Sequence, residues 1–83
     1  MIKRGVITLF RVIKVDVNNC HLGEVETPEE VYDLIETEGY PLDGNDKEEF
    51  INRVENQEKD KANTFTFWNT EKPNQRFIVV RED

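Results

Sequence analysis

The side chains that could support nucleophilic catalysis are few: one cysteine, Cys20, one histidine, His21, and no serine. A cysteine nucleophile needs an imidazole within hydrogen-bonding reach. Adjacent residues of a strand point to opposite faces of a sheet, so Cys20 and His21 would not meet. We therefore expect a surface histidine beside a semi-buried cysteine, and a protein that is not an enzyme.

Metal and cofactor sites are also poorly supported. One cysteine and one histidine cannot complete the four-ligand set of structural zinc. Asp43, Asn45 and Asp46 resemble the start of a calcium loop. Counting from Asp43, however, puts Glu48 where that loop needs glycine and Val54 where it needs glutamate. The four glycines are too scattered to form a phosphate-binding loop. We expect no metal and no cofactor.

Carboxylates are the one abundant reactive group, and they are concentrated in the middle of the chain. Residues 24–60 hold fourteen Asp and Glu against three Lys and Arg, a net charge of 3 − 14 = −11, whereas residues 1–23 carry +3 and residues 61–83 carry +1. Such a surface repels nucleic acid, so we expect no direct nucleic-acid binding. It suits a protein partner with a basic patch, although charge runs are also often simply solvated.

The first secondary-structure elements that the sequence predicts are strands. Residues 5–17 alternate with period two and have apolar side chains on both faces, which predicts a long strand in the interior of a sheet. Asn18 and Asn19 suit a tight turn. Residues 20–25 are predicted to return as a short strand, which Gly23 weakens.

Two helices follow. Thr27 is a helix cap, Pro28 suits the first helical position, and Gly39 suits the left-handed residue that ends a helix. Asp46 is predicted to start the second helix after a turn. Residues 55–61 are wholly polar, so we expect the end of that helix to fray.

The chain ends in a predicted β-hairpin. Residues 64–68 and 76–80 are rich in β-forming side chains, and a loop over residues 69–74 contains Pro73. The elements together predict one α+β domain spanning residues 1–83. Its small antiparallel sheet of three or four strands packs against two helices, in the order strand, optional second strand, helix, helix, strand, strand.

An apolar surface is the second candidate for binding. Phe67 and Trp68 must face opposite sides of their strand, so Trp68 is a candidate interface anchor; the alternative is that it packs over its own hairpin. If both helices cover one sheet face, Val6, Phe10 and Val12 remain on the other face with Trp68. A patch of that kind meets a partner or a second copy of the chain.

The sequence therefore predicts a small acidic, non-enzymatic interaction module. It would bind a protein partner through an acidic helical surface or an apolar sheet face, and a homodimer is one form of that contact. No apolar stretch is long enough to span a membrane and no signal-peptide cleavage site follows the basic start, so we expect a cytoplasmic protein. The alternative function is a DNA-mimic inhibitor of the type carried by phages, a resemblance of size and charge alone. The residues expected to bind the partner are Glu29, Glu30, Asp33, Glu36, Glu48, Glu49, Glu55, Trp68, Phe10 and Val12.

Overall fold

The computed structural model describes residues 8–16 and 18–82, which form four strands and two helices. The four strands make one antiparallel sheet in the order β2-β1-β4-β3, so the predicted α+β fold is confirmed, with the optional second strand present. The parts of the first predicted strand at residues 5–7 and 17 lie outside the described residues. The elements are β1 Leu9–Val15, β2 Cys20–Val25, α1 Pro28–Thr37, α2 Gly44–Glu55, β3 Ala62–Asn69 and β4 Lys72–Glu82.

Strand β1 is an interior strand, as predicted, because it pairs with β2 on one side and β4 on the other. The pairing with β2 shifts register between Val12 and Ile13, which marks a bulge. Gly23 lies opposite Val12, and a Cβ built there would be 3.5 Å from Cδ1 of Leu34 on α1. That distance is ordinary van der Waals contact, so a small side chain would fit at this position and the packing of α1 on β2 does not require glycine.

Both helices cover the same face of the sheet. The ring of Phe50 on α2 lies 4.9 Å from that of Phe65 and 5.4 Å from that of Phe67, and Phe67 in turn contacts Phe77. One apolar core thus lies between a helical layer and a sheet layer. The buried residues that form it are Phe10, Val12, Val31, Tyr32, Ile35, Tyr40, Phe50, Val54, Phe65, Phe67, Phe77 and Val79.

The prediction that Phe10 and Val12 stay on the open face is wrong. They are 3% and 0% exposed beneath the helices, and it is Leu9, Ile13 and Val15 that belong to the opposite face. Period-two alternation separates the two sets but does not say which set the helices cover. The register of β1 against β4 determines which set is covered, because Val12 lies opposite the buried Val79 of β4. Val6, predicted for the same patch, lies outside the described residues.

The helix starts show why local signals succeed or fail. Thr27 caps α1 as predicted: its Oγ1 accepts the N–H of Glu30 at 3.2 Å and donates to the Glu30 carboxylate at 2.9 Å. The predicted start of α2 at Asp46 is wrong. The Asp43 carboxylate accepts the N–H of Asp46 at 2.9 Å, so Asp43 is the cap and the helix begins at the next residue.

The predicted loop at residues 69–74 is also wrong. Asn69 pairs with Lys72, which leaves a turn of two residues. Pro73 consequently lies inside β4. Its missing N–H is tolerated because β1 pairs with β4 only as far as Arg76 and no residue of β3 is paired with Pro73.

Candidate functional site

The two layers of the protein carry opposite charge. The helices hold eight carboxylates against Lys47 and Arg53, which gives 2 − 8 = −6. The strands hold five basic side chains against Glu24 and Glu82, which gives 5 − 2 = +3. All eight helical carboxylates are exposed: Glu29, Glu30, Asp33, Glu36, Asp46, Glu48, Glu49 and Glu55.

These eight carboxylates are not neutralised by neighbours within residues 8–16 and 18–82. The ion pairs found there join Arg11 to Glu24 and Glu82, at 3.8 and 3.0 Å, and Lys14 to Glu38 at 3.2 Å. The hydrogen bond from Lys14 to Glu38 raises the pKa of that lysine above its usual value. Two basic side chains of the sheet, Arg11 and Lys14, are thus engaged with carboxylates outside the set of eight, and Lys72 donates to the backbone carbonyl of Glu38. The helical layer keeps its negative potential.

Trp68 is the large hydrophobic side chain that the described part of the chain exposes most, with 68% of its surface accessible. Phe67 beside it is 4% exposed, so the two residues do not both lie in the helix-covered core, as predicted. The register between β3 and β4 shifts between Phe67 and Asn69, which leaves Trp68 without a cross-strand partner. An exposed indole at the end of a strand is a suitable anchor for a protein contact.

A groove of about 590 Å³ lies between the end of β3 and the start of α2, and we call it the β3–α2 groove. The aromatic residues Phe50, Phe65 and Phe67 contribute to its lining, and Trp68 lines it from β3. The three phenylalanines are buried, so the groove offers apolar contact in its depth.

The polar lining of the groove is acidic. Asp43, Asp46 and Glu49 line it together with Arg53, which gives 1 − 3 = −2. Asp46, Glu49 and Arg53 are spaced three and four residues apart and therefore share one face of α2. The guanidinium carbon of Arg53 lies 5.3 Å from the centre of the Phe65 ring, so this one cation is already in contact with an aromatic face.

The structure brings together only part of the predicted set. Glu49 and Trp68 meet in the β3–α2 groove, whereas Glu48 and Glu55 lie on α2 outside its lining. The remaining predicted carboxylates, all outside the groove as well, are those of α1: Glu29, Glu30, Asp33 and Glu36.

Sequence reasoning missed Asp43, Asp46 and the aromatic lining. The sequence predicts Asp46 only as a helix start, and no local pattern connects it with the aromatic residues of β3. A usable signal was present in residues 62–70, which contain no charged side chain in a chain that is 35% charged. That run coincides with β3, the strand that lines the groove.

Cys20 and His21 lie opposite Lys14 and Ile13 of β1, on different faces of the sheet, as predicted. Both are exposed, so the expectation of a semi-buried cysteine is wrong. Across residues 8–16 and 18–82, no group of three or more His, Cys, Asp or Glu side chains is placed to hold a metal ion. No helix in that part of the chain is both long and apolar enough to span a bilayer.

Comparison of the chain with protein-family models, with curated proteins and with solved structures gives no match. What the surface can do chemically follows from its own geometry. The groove can take apolar side chains in its depth, pair cations with the carboxylates of its lining, and add the exposed face of Trp68 as an anchor.

Proposed function

We propose that the chain is a non-enzymatic interaction module whose helical layer binds a protein partner with a basic surface. The observation that carries the proposal is the set of eight exposed helical carboxylates without ion-pair partners among the described residues. Two of them, Asp46 and Glu49, line the β3–α2 groove together with the exposed Trp68. We expect the partner in a reducing, cytoplasmic compartment, because Cys20 is a free and exposed thiol.

The two features would have different roles in binding. Unpaired surface carboxylates attract a cationic protein over a distance and raise the rate of association, an effect that salt screens. The indole of Trp68 would supply apolar contact area once the partner has docked, which slows dissociation. A partner recognised in this way should bind more weakly as the salt concentration rises.

Affinity capture with matched charge variants tests the proposal. One variant neutralises two helical carboxylates, Glu36→Gln and Glu48→Gln; its control neutralises two exposed carboxylates outside the helices, Glu58→Gln and Glu71→Gln. We expect the wild type and the control to retain the same protein from the lysate of the native cell, and the helical variant to retain less of it. Equal capture by both variants, or capture of nothing, would refute the proposal.

A DNA-mimic inhibitor remains the second candidate, supported by the same exposed carboxylates, which could occupy a phosphate-binding surface. It differs from the first proposal in its partner, which must itself bind DNA. Short duplex DNA added to the captured complex should then displace the chain. A complex that resists saturating duplex DNA argues for an ordinary basic partner instead.

A second copy of the chain is a further candidate partner, now through the face that the helices leave open. On that face Ile13 lies opposite Ile78, and Arg11 opposite Val80, with the three apolar side chains partly exposed. Sedimentation equilibrium tests this candidate: a dimer that Ile13→Lys converts to a monomer supports it, and a monomer at high concentration removes it.

A further inference from the structure

Strand β3 has one unpaired edge within the described residues, because β4 is its only neighbour there. The N–H of Arg81 donates to the carbonyl of Lys61 at 3.0 Å, and the N–H of Asp60 donates to the carbonyl of Arg81 at 2.9 Å. The Lys61 carbonyl therefore points toward β4, and Asn63, two residues further on, forms a hydrogen-bonded pair with Val79. In an antiparallel ladder such pairs recur at every second residue. The alternate residues Ala62, Thr64 and Thr66 therefore direct their N–H and C=O groups away from β4, toward the open edge.

Between the irregular pairing of Asp60 and Lys61 with Arg81 at one end and the register shift after Phe67 at the other, this edge lacks the features that keep strand edges from pairing. Charged residues, proline and bulges are the usual protection, and residues 62–67 contain no charged side chain, no proline and no register shift. The opposite edge strand, β2, carries Glu24 and joins β1 with a bulge between Val12 and Ile13. An edge without such protection, in a chain otherwise rich in charge, is suited to accept another strand.

We propose that β3 accepts an extended, basic peptide segment of the partner protein as a fifth strand, with alternate side chains of that segment entering the β3–α2 groove. This inference rests on the proposed function and specifies how the partner is held. Main-chain hydrogen bonds to Ala62, Thr64 and Thr66 provide affinity for any extended segment, and the groove selects among sequences.

The chemistry of the groove specifies the segment. Side chains two residues apart on a strand lie about 6.5–7 Å from one another on the same face, so more than one of them reaches the groove. Phe50, Phe65 and Phe67 favour an apolar side chain. Asp43, Asp46 and Glu49, which outnumber Arg53, favour lysine or arginine at a neighbouring alternate position and disfavour an acidic segment.

The test begins with a displayed library of random heptapeptides selected on the immobilised chain. Thr64→Pro removes one outward N–H without breaking the ladder to β4, and Thr64→Val keeps that N–H as the matched control. Circular dichroism and thermal melting establish that both variants fold. A second variant, Asp46→Asn with Glu49→Gln, changes the groove and leaves the edge intact.

We expect the enriched peptides to carry lysine or arginine alternating with apolar residues. They should bind Thr64→Pro at least about tenfold more weakly than they bind Thr64→Val. They should bind the groove variant about threefold to tenfold more weakly than the wild type, and that binding should depend less on salt concentration. Enriched peptides that are acidic, or that bind Thr64→Pro as well as the wild type, would overturn strand addition.

Hydrogen exchange measured by NMR on the unmodified chain gives an independent readout. The amides of Ala62, Thr64 and Thr66 should exchange fast in the free protein and become protected by a selected peptide, while those of Asn63 and Phe65 are protected in both states. Protection of Thr64 and Thr66 in the free chain would overturn the inference, as would a wild-type dimer that Thr64→Pro makes monomeric.

Failure of the inference and failure of the proposed function can be told apart. Should the captured protein depend on the helical carboxylates but be insensitive to Thr64→Pro, the partner docks on the outer helical surface and only strand addition fails. If neither set of variants changes capture, the proposed function fails as well.

Discussion

The ring of Phe50 on α2 stands 4.9 Å from the ring of Phe65 on β3, centroid to centroid, with the two planes at 75°. This edge-to-face contact, with the 5.4 Å contact of Phe50 to Phe67, is where α2 is packed onto the sheet. The same three rings line the β3–α2 groove. Core packing and the candidate binding surface therefore depend on one aromatic cluster.

Phe50→Ala should lower the free energy of unfolding by about 3–5 kcal/mol, because it removes a buried ring and leaves a cavity between helix and sheet. Phe50→Leu, which keeps most of the apolar contact, should cost about 1–2 kcal/mol. Urea denaturation followed by circular dichroism measures both. A loss below about 1 kcal/mol for the alanine variant would show that α2 does not depend on this cluster.

Gly39, after the end of α1, and Gly44, at the start of α2, allow a matched comparison of glycine-to-alanine substitutions. Gly39 has φ of 99°, the left-handed conformation that the sequence predicted for the residue ending α1, whereas Gly44 has open space where a Cβ would lie. Gly39→Ala should cost about 1 kcal/mol or more, and Gly44→Ala should be neutral or stabilising by up to about 1 kcal/mol. Equal melting temperatures for the two variants would contradict this assignment.

Local signals account for the parts of the fold that the sequence predicted well. Thr27 followed by Pro28 fixes the start of α1, and Gly39 takes the left-handed conformation predicted after its end. These features depend on neighbours in the chain, so one sequence is enough to find them.

Long-range pairing accounts for what the sequence missed. The burial of Phe10 and Val12 follows from the register of β1 against β4, which alternation along a single strand does not specify. The groove was missed for the same reason. Asp46 and Phe65 are far apart in sequence and line one groove only because α2 packs beside the edge strand.

Gln57 is the buried polar side chain of the core region, 3% exposed, and its amide nitrogen bridges two carbonyls, of Lys61 at 2.7 Å and Val79 at 2.6 Å. Gln57→Met keeps the volume but removes both donors, so we expect a loss of about 1–3 kcal/mol in unfolding free energy. Asn56→Ala, which removes an exposed amide bonded to Asn52, should cost less than about 1 kcal/mol. Chemical denaturation compares the two, and a smaller loss for Gln57→Met than for Asn56→Ala would be inconsistent with a bridging role.

Stability should fall as the pH rises above about 10. Burial raises the pKa of Tyr32, which is 1% exposed, above its usual value of about 10. The hydrogen bond to Glu38 likewise raises the pKa of Lys14. Both groups hold their protons longer when folded than when unfolded, so their stabilising effect is complete below the unfolded pKa and is lost as the pH passes through the folded pKa.

Tyr32→Phe separates the contribution of the phenol. The Tyr32 oxygen accepts the N–H of Leu42 at 2.9 Å, so the variant should be less stable than the wild type by about 0.5–1.5 kcal/mol at pH 7. Above pH 10 the difference should shrink, because the variant has no phenol to ionise. Melting temperatures from pH 7 to 12 measure this, and a difference that stays constant or widens over that range would disagree with the raised pKa.

The emission of Trp68, the single tryptophan of the chain, tests the binding surface most directly. The peptides selected on the chain would be titrated into it while tryptophan fluorescence is recorded. We predict emission typical of a water-exposed indole in the free chain, and a shift to shorter wavelength that saturates with the bound fraction. Saturable binding that leaves the emission of Trp68 unchanged would contradict a binding surface formed by the β3–α2 groove and its tryptophan.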